Sequence, residues 1–179
     1  GVQTDLSIKF GVTSENALYL ARRALELGFN LAGAAFHVGT QSRNVNNYHR
    51  AFCDCLALFD NLKRTTGHEC DLIDFGGGFP IDTVANTGQL GQKLFFSELA
   101  DLLNRIIPSR IRLMAEPGRF ISAPTGTLVS SVVGMSERNG KKFLYLNDGV
   151  YGCYSGIIFD HAGFSYYPLR SDGSPAFSE

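Results

Sequence analysis

Asp74-Phe75-Gly76-Gly77-Gly78-Phe79-Pro80 follows the apolar pair Leu72-Ile73, so a short apolar run gives way to three consecutive glycines. That order predicts a strand feeding a tight turn. With no side chains in the way, several backbone N–H groups can converge on one point, which is what a phosphate group needs at the mouth of a βα unit. A turn with no ligand is the alternative for a glycine triplet read by itself. The same pattern recurs one strand-and-helix interval to either side, at Phe36-His37-Val38-Gly39-Thr40 and at Ala115-Glu116-Pro117-Gly118-Arg119. Each is a short apolar run ending in a titratable residue and glycine. In parallel α/β sheets and barrels the C-terminal strand ends carry the ligand site, so the three ends are expected on one rim.

Outward from that turn the chain reads as alternating units. Upstream, Ser7-Ile8-Lys9-Phe10-Gly11 reads as the end of a strand, and Ser14 is placed to cap a helix. That helix has Ala17, Leu18, Ala21 and Leu25 on one apolar face and stops at Gly28. Leu31 to His37 is small and apolar without polar alternation, as in a parallel strand covered on both faces. A helix from Asn47 to Thr66 buries Ala51, Phe52, Cys55, Leu56, Phe59 and Leu62, turns Arg50, Asp54, Lys63 and Arg64 to water, and ends at Gly67. Downstream, Ile81 to Gly91 is polar loop. Phe95, Leu99, Leu102, Leu103 and Ile106 mark a third helix ended by Pro108, and Arg110 to Glu116 is the next strand.

Beyond Arg119 the pattern changes. Thr127 to Val133 and Phe143 to Leu146 are β-rich and joined across Glu137-Arg138-Asn139-Gly140, where Asn-Gly signals a hairpin. Tyr151 to Phe159 and Phe164 to Leu169 are further short apolar or aromatic segments. The expected fold class is therefore α/β: the C-terminal half of a (β/α)8 TIM-type barrel over residues 1–121, followed by part of a β-rich domain over residues 122–179.

Composition narrows the function. At 179 residues and 44% hydrophobic, the chain can bury an ordinary core. A net charge of −1, from 16 Lys+Arg against 17 Asp+Glu, gives no general pull toward nucleic acid or an anionic membrane. No apolar run is long enough to span a bilayer, and Gly1-Val2-Gln3-Thr4-Asp5 lacks the basic and apolar regions of a signal peptide, so a cytoplasmic protein is expected. Cys53, Cys55, Cys70 and Cys153 have no CxxC spacing; they are read as reduced thiols packing like small hydrophobes, and no metal site is expected.

Six motifs occur in order: Lys9-Phe10-Gly11, Phe36-His37-Val38-Gly39, Asp74 to Pro80, Glu116-Pro117-Gly118-Arg119, Asn147-Asp148-Gly149-Val150-Tyr151-Gly152 and Phe159-Asp160-His161. With them the chain resembles the fold-type III, pyridoxal-phosphate-dependent decarboxylases of basic amino acids, most nearly those acting on ornithine. The resemblance implies pyridoxal 5′-phosphate as cofactor. Gly76, Gly77 and Gly78 would present amides to its phosphate, Arg119 a guanidinium and Thr40 a hydroxyl, where relatives usually carry serine. Pro117 and Gly118 belong to the same cofactor-binding motif. His37 would stack on the pyridine ring, and Glu116 would keep the ring nitrogen protonated so that it can accept charge from the carbanion formed on decarboxylation.

For the substrate, the resemblance implies that Asp160 receives the distal amine, beside Phe159 and with Tyr151 in the neighbouring aromatic wall. Lys9 resembles a position at a dimer interface. The implied protein is a homodimer acting on ornithine or lysine and giving a diamine for polyamine biosynthesis. The family's Schiff-base lysine would precede Gly1 and its active-site cysteine would follow Glu179. The chain is accordingly expected to be an internal fragment, inactive alone. Two alternatives stand beside this reading: an inactive family member serving as a regulatory binding protein, and a decarboxylase of diaminopimelate or arginine.

Overall fold

A parallel sheet with a helix between each pair of strands accounts for the first part of the chain. In the computed structural model, which describes residues 9–82, 89–159 and 162–176, helix α1 (Ser14–Glu26) leads to strand β1 (Gly33–Ala35), helix α2 (Val45–Thr66), strand β2 (Leu72–Asp74), helix α3 (Gln89–Ile106) and strand β3 (Arg112–Met114). The strands lie in the order β1-β2-β3, with Ala35 beside Asp74 and Asp74 beside Met114. Parallel neighbours need long crossovers, and helices supply both. The expected βα alternation is present as a partial barrel sheet.

The elements differ from the sequence expectation in several places. Each strand is three residues long, shorter than Leu31–His37 or Arg110–Glu116, because beyond the ladder the flanking residues keep only single cross-links such as Phe36 N–H to the Asp74 carbonyl at 2.9 Å. Burial on both faces belongs to the central strand β2, where Ile73 and Asp74 are buried; β1 and β3 are the outer strands among the described residues and stay partly or wholly exposed. Thr13, not Ser14, is the N-cap of α1, and it makes no side-chain cap bond. Lys9, Phe10 and Gly11 form a turn and bend instead of a strand end, Gly11 having left the extended region at φ 80°, while Ser7 and Ile8 lie outside the described residues. Helix α3 starts at Gln89, inside the stretch Ile81 to Gly91 expected to be polar loop.

Helix α2 begins earlier than expected because Asn44 caps it, its Oδ1 accepting from the Asn46 amide at 3.0 Å. Gly67 ends it in the left-handed region, as expected. Its buried stripe is Tyr48, Phe52, Cys55, Phe59 and Leu62; Ala51 and Leu56 are half-buried, and Arg50, Asp54, Lys63 and Arg64 face water. Tyr48 extends the stripe one turn toward the N-terminus of α2. Its hydroxyl has no hydrogen-bond partner among the described residues, and burial pushes the phenol above its usual range. From α3, Phe95, Leu99 and Leu102 enter the same core.

Phenylalanine joins this core to the strand ends. Phe52 meets Phe36 edge-on at 5.0 Å between centroids and Phe75 at 5.5 Å, while Phe79 contacts Tyr48, Phe75, Phe96 and Phe120. Each such buried ring stabilises the fold by about 1.5–3 kcal/mol. At the opposite, N-terminal ends of β2 and β3, the Arg112 guanidinium donates to both oxygens of Asp71, Nε to Oδ2 at 3.0 Å and Nη2 to Oδ1 at 2.8 Å.

A short helix, α4 (Arg119–Ser122), and a 3-10 turn over Ala123–Thr125 follow the sheet. From Thr127 onward the chain belongs to a second compact unit. There β4 (Val132–Arg138) and β5 (Lys141–Leu146) pair antiparallel with Arg138 opposite Lys141. Asn139 and Gly140, at φ 52° and 73°, form the two-residue loop. The hairpin is the expected one, but β4 starts at Val132 instead of Thr127. It also takes up Glu137 and Arg138 from the expected connection, because a two-residue Asn-Gly loop closes the strands directly. Beyond it lie a four-residue helix, α5 (Gly156–Phe159), and a single bridge between Leu169 and Pro175. Of the thiols, Cys55 and Cys70 are buried as expected, whereas Cys53 and Cys153 are exposed. Among the described residues no helix is long and apolar enough to cross a membrane.

Candidate functional site

The C-terminal ends of β1, β2 and β3 are stitched together by main chain. Beyond the ladder, Phe75 N–H donates to the Met114 carbonyl at 2.9 Å and Glu116 N–H to the Gly76 carbonyl at 2.8 Å. These bonds place Glu116 beside the glycine turn. The turn is set at its start by Asp74, a buried carboxylate whose Oδ1 accepts from Gly76 N–H at 2.9 Å. Gly76 and Gly78 take φ values of 60° and 84°, and a Cβ on either would overlap a carbonyl oxygen, that of Phe36 or of Gly39. Glycine is required at both for backbone conformation and for close approach.

Above this turn lies a pocket of about 220 Å³ lined by His37, Thr40, Gln41, Gly77, Gly78, Phe79, Glu116, Gly118, Arg119 and Phe120. It gathers seven of the expected residues: His37, Thr40, Gly77, Gly78, Glu116, Gly118 and Arg119. Gly76 and Pro117 are not in its wall. Gly76 had been expected to offer its amide to a phosphate; that amide is instead committed to Asp74, so Gly76 contributes shape. Among the described residues the amides of Gly77 and Gly78 donate to no protein acceptor. Tyr151 and Phe159 belong to the second unit, where both are exposed, and do not line the pocket. Asp160 lies outside the described residues.

His37 is oriented by its own strand end, Nδ1 accepting from Gly39 N–H at 2.9 Å. Its other nitrogen faces the glycine turn: a Cβ at Gly77 would lie 3.2 Å from Nε2 and 3.0 Å from the Glu116 carbonyl oxygen. The bare turn therefore leaves room for the imidazole. Arg119 opens α4, and the next residue, Phe120, anchors that helix on Phe79 and Phe96 at 6.4 and 5.0 Å between centroids. Two free amides, a hydroxyl and a guanidinium suit a phosphate, and a carboxylate across the same pocket suits a protonated ring nitrogen.

Sequence reasoning assigned no role to Asp74, Gln41, Phe79 or Phe120. Asp74 was legible, since an aspartate two residues before a glycine can accept its amide in an Asx turn. The others depend on contacts made between loops.

The profile of the family described as "Pyridoxal-dependent decarboxylase, pyridoxal binding domain" matches residues 3–123. The chain is 34% identical to a lysine/ornithine decarboxylase of Selenomonas ruminantium over 94% of its own length and 42% of that protein's. It is 33% identical to an ornithine decarboxylase of Mus musculus over 88% of the chain and 37% of the relative. Among solved structures it is similar to a lysine/ornithine decarboxylase of Vibrio vulnificus complexed with cadaverine, with a TM-score of 0.81 at 35% identity, covering 90% of this chain and 43% of that one. The chain thus spans about two fifths of the length of the curated relatives it matches.

Proposed function

This chain belongs to the pyridoxal-dependent decarboxylase family, and from that premise we propose that it is part of a decarboxylase acting on a basic amino acid, ornithine or lysine, to give a diamine for polyamine biosynthesis. The observation that supports this reading is the meeting of His37, Thr40, Gly77, Gly78, Glu116 and Arg119 at one pocket. The donor set fits pyridoxal phosphate. Arg119, the Thr40 hydroxyl and the amides of Gly77 and Gly78 would bind the phosphate, charge-assisted bonds being the stronger share. His37 would lie against one face of the pyridine ring and orient it.

When bound, the cofactor supplies an electron sink for the charge left at Cα as carbon dioxide departs. Glu116 would serve that sink by favouring a proton on the pyridine nitrogen, since a carboxylate accepts from N–H and carries the compensating charge. Phe79 and Phe120 give the pocket one apolar wall. On the sequence resemblance alone, Asp160 takes the distal ammonium of the substrate, with Phe159 and Tyr151 as its apolar neighbours. The same resemblance leads us to place the complete protein as a cytoplasmic homodimer, which sedimentation and cell fractionation would check.

The test is to titrate the complete protein with pyridoxal phosphate by absorbance and to measure carbon dioxide and diamine released from ornithine and lysine. Binding with turnover supports the reading. Binding without turnover of any diamino acid points to a regulatory family member, and absence of binding removes the cofactor site.

A further inference from the structure

We propose that Gln41 is a positioning residue for the cofactor phosphate, holding the exit of the glycine turn in place from across the pocket; this rests on the reading of that pocket as a pyridoxal-phosphate site. Gln41 is one of two non-glycine residues with positive φ among the described residues, at 54°; the other, Asn139, sits in the hairpin loop, where that conformation is ordinary. Left-handed backbone at a side chain as long as glutamine is disfavoured, and it persists where the surroundings hold it. Glycine would take this conformation without strain. What glutamine adds is its side chain, and that side chain is engaged: Oε1 accepts from the Ile81 amide at 2.9 Å.

The bond is one of a set that clasps the turn. Ser42 N–H donates to the Gly78 carbonyl at 2.9 Å, and Arg43 Nη2 to the Ile81 carbonyl at 3.1 Å. The Ser42 hydroxyl, itself buried, accepts from Asn47 Nδ2 at 3.2 Å and ties the loop to the first turn of α2. Asp74 fixes where the turn begins; loop 41–43 fixes where it ends. The Ser42–Gly78 bond is main chain and survives any substitution at 41. The acceptor for Ile81 N–H is not, since only the side chain at 41 supplies it. Without it the Ile81 amide loses its partner and the exit of the turn is held only by the Ser42–Gly78 bond, the Arg43 contact and the buried Phe79 and Pro80, so the amides of Gly77 and Gly78 are less tightly aligned on a common point. Gln41 also lines the pocket next to Thr40, so its loop and the turn move together or not at all.

The experiment compares Gln41→Gly and Gln41→Asn with the unsubstituted complete protein. Both residues accept the left-handed backbone, glycine without a side chain and asparagine with an amide one methylene too short. We expect melting temperatures without cofactor to be unchanged or raised for Gln41→Gly. The Kd for pyridoxal phosphate should rise about two- to tenfold in both variants, the range one net hydrogen bond gives. The phosphorus resonance of bound cofactor should shift, and KM for the amino acid should hold at saturating cofactor. Wild-type Kd and an unshifted resonance in both variants would overturn the role of Gln41 while leaving the site intact. Failure of the unsubstituted protein to bind pyridoxal phosphate would overturn the pocket reading, and this proposal with it.

Discussion

The main-chain amide of Gly39 donates to Nδ1 of His37 at 2.9 Å. A ring nitrogen that accepts carries no hydrogen, so the neutral imidazole holds its proton on Nε2, the atom facing the glycine turn. In 15N-labelled complete protein, histidine correlation spectra should show His37 as the Nε2–H tautomer. An Nδ1–H signature would mean that Gly39 does not orient the ring.

Gly78→Ala should be among the more damaging single changes in the first unit. The new Cβ meets the Gly39 carbonyl oxygen, and the residue must hold φ 84° as well. A loss of about 1–3 kcal/mol is expected for such strain, with weakened cofactor binding. Urea denaturation would measure it, and wild-type stability would contradict the interlock of the two loops.

Arg119→Ala and Glu116→Gln should separate binding from turnover. Removing the guanidinium leaves the phosphate partly uncompensated, at about 1.5–3 kcal/mol for a charged hydrogen bond, and should raise the cofactor Kd. The Glu116→Gln amide should leave that Kd nearly alone but depress kcat sharply, because it no longer favours a proton on the ring nitrogen. If the two variants lose both properties in parallel, the separate roles are wrong.

Asp160→Ala should change which substrates are used. A substrate ammonium moved from water into a closed pocket keeps its charge only beside a carboxylate, and stranding it costs roughly 2–5 kcal/mol for a buried pair. We expect kcat/KM for ornithine and lysine to fall while an uncharged analogue is little affected. An unchanged ratio between charged and uncharged substrates would remove Asp160 from substrate recognition.

Acid stability carries a signature of the Asp71–Arg112 fork. The Arg112 hydrogen bonds hold the Asp71 carboxyl below its ordinary 3.8, so its contribution is fully present above that pH and fades as pH falls through the lower folded value. Both groups are exposed, so the effect is small. Asp71→Asn should melt slightly lower than wild type at neutral pH, and the two melting curves should converge well below pH 3.8. A difference that persists into strong acid would point to packing instead of charge.

Much of the site could be read from sequence because it is built by local rules. A run such as Leu72-Ile73 ending in glycines fixes a strand and a turn, and three such endings in parallel units fall on one rim whatever the details of packing. Helix α2 was legible from its apolar stripe, yet its start was not, because Asn44 caps through a side-chain bond that the stripe does not reveal. Ser14 looked like a cap and is the first helical residue, since Thr13 already has the extended backbone a cap needs. Gln41 was out of reach altogether: its partner, Ile81, is forty positions away in the chain. Exposure of β1 and β3 was likewise invisible, since it depends on what lies beside the outer strands.

The clasp between the two loops also bears on how a ligand is captured. Ordering a loose loop at the moment of binding costs about 1–2 kcal/mol per residue. Here the segments around Ser42 and Gly78 are latched by main-chain and side-chain bonds as the chain folds. A phosphate group entering the proposed site would therefore meet a finished receptor. Its arrival would be governed by diffusion and charge and not by loop rearrangement, and its release, which retraces the same path, by the strength of the contacts it makes in the pocket.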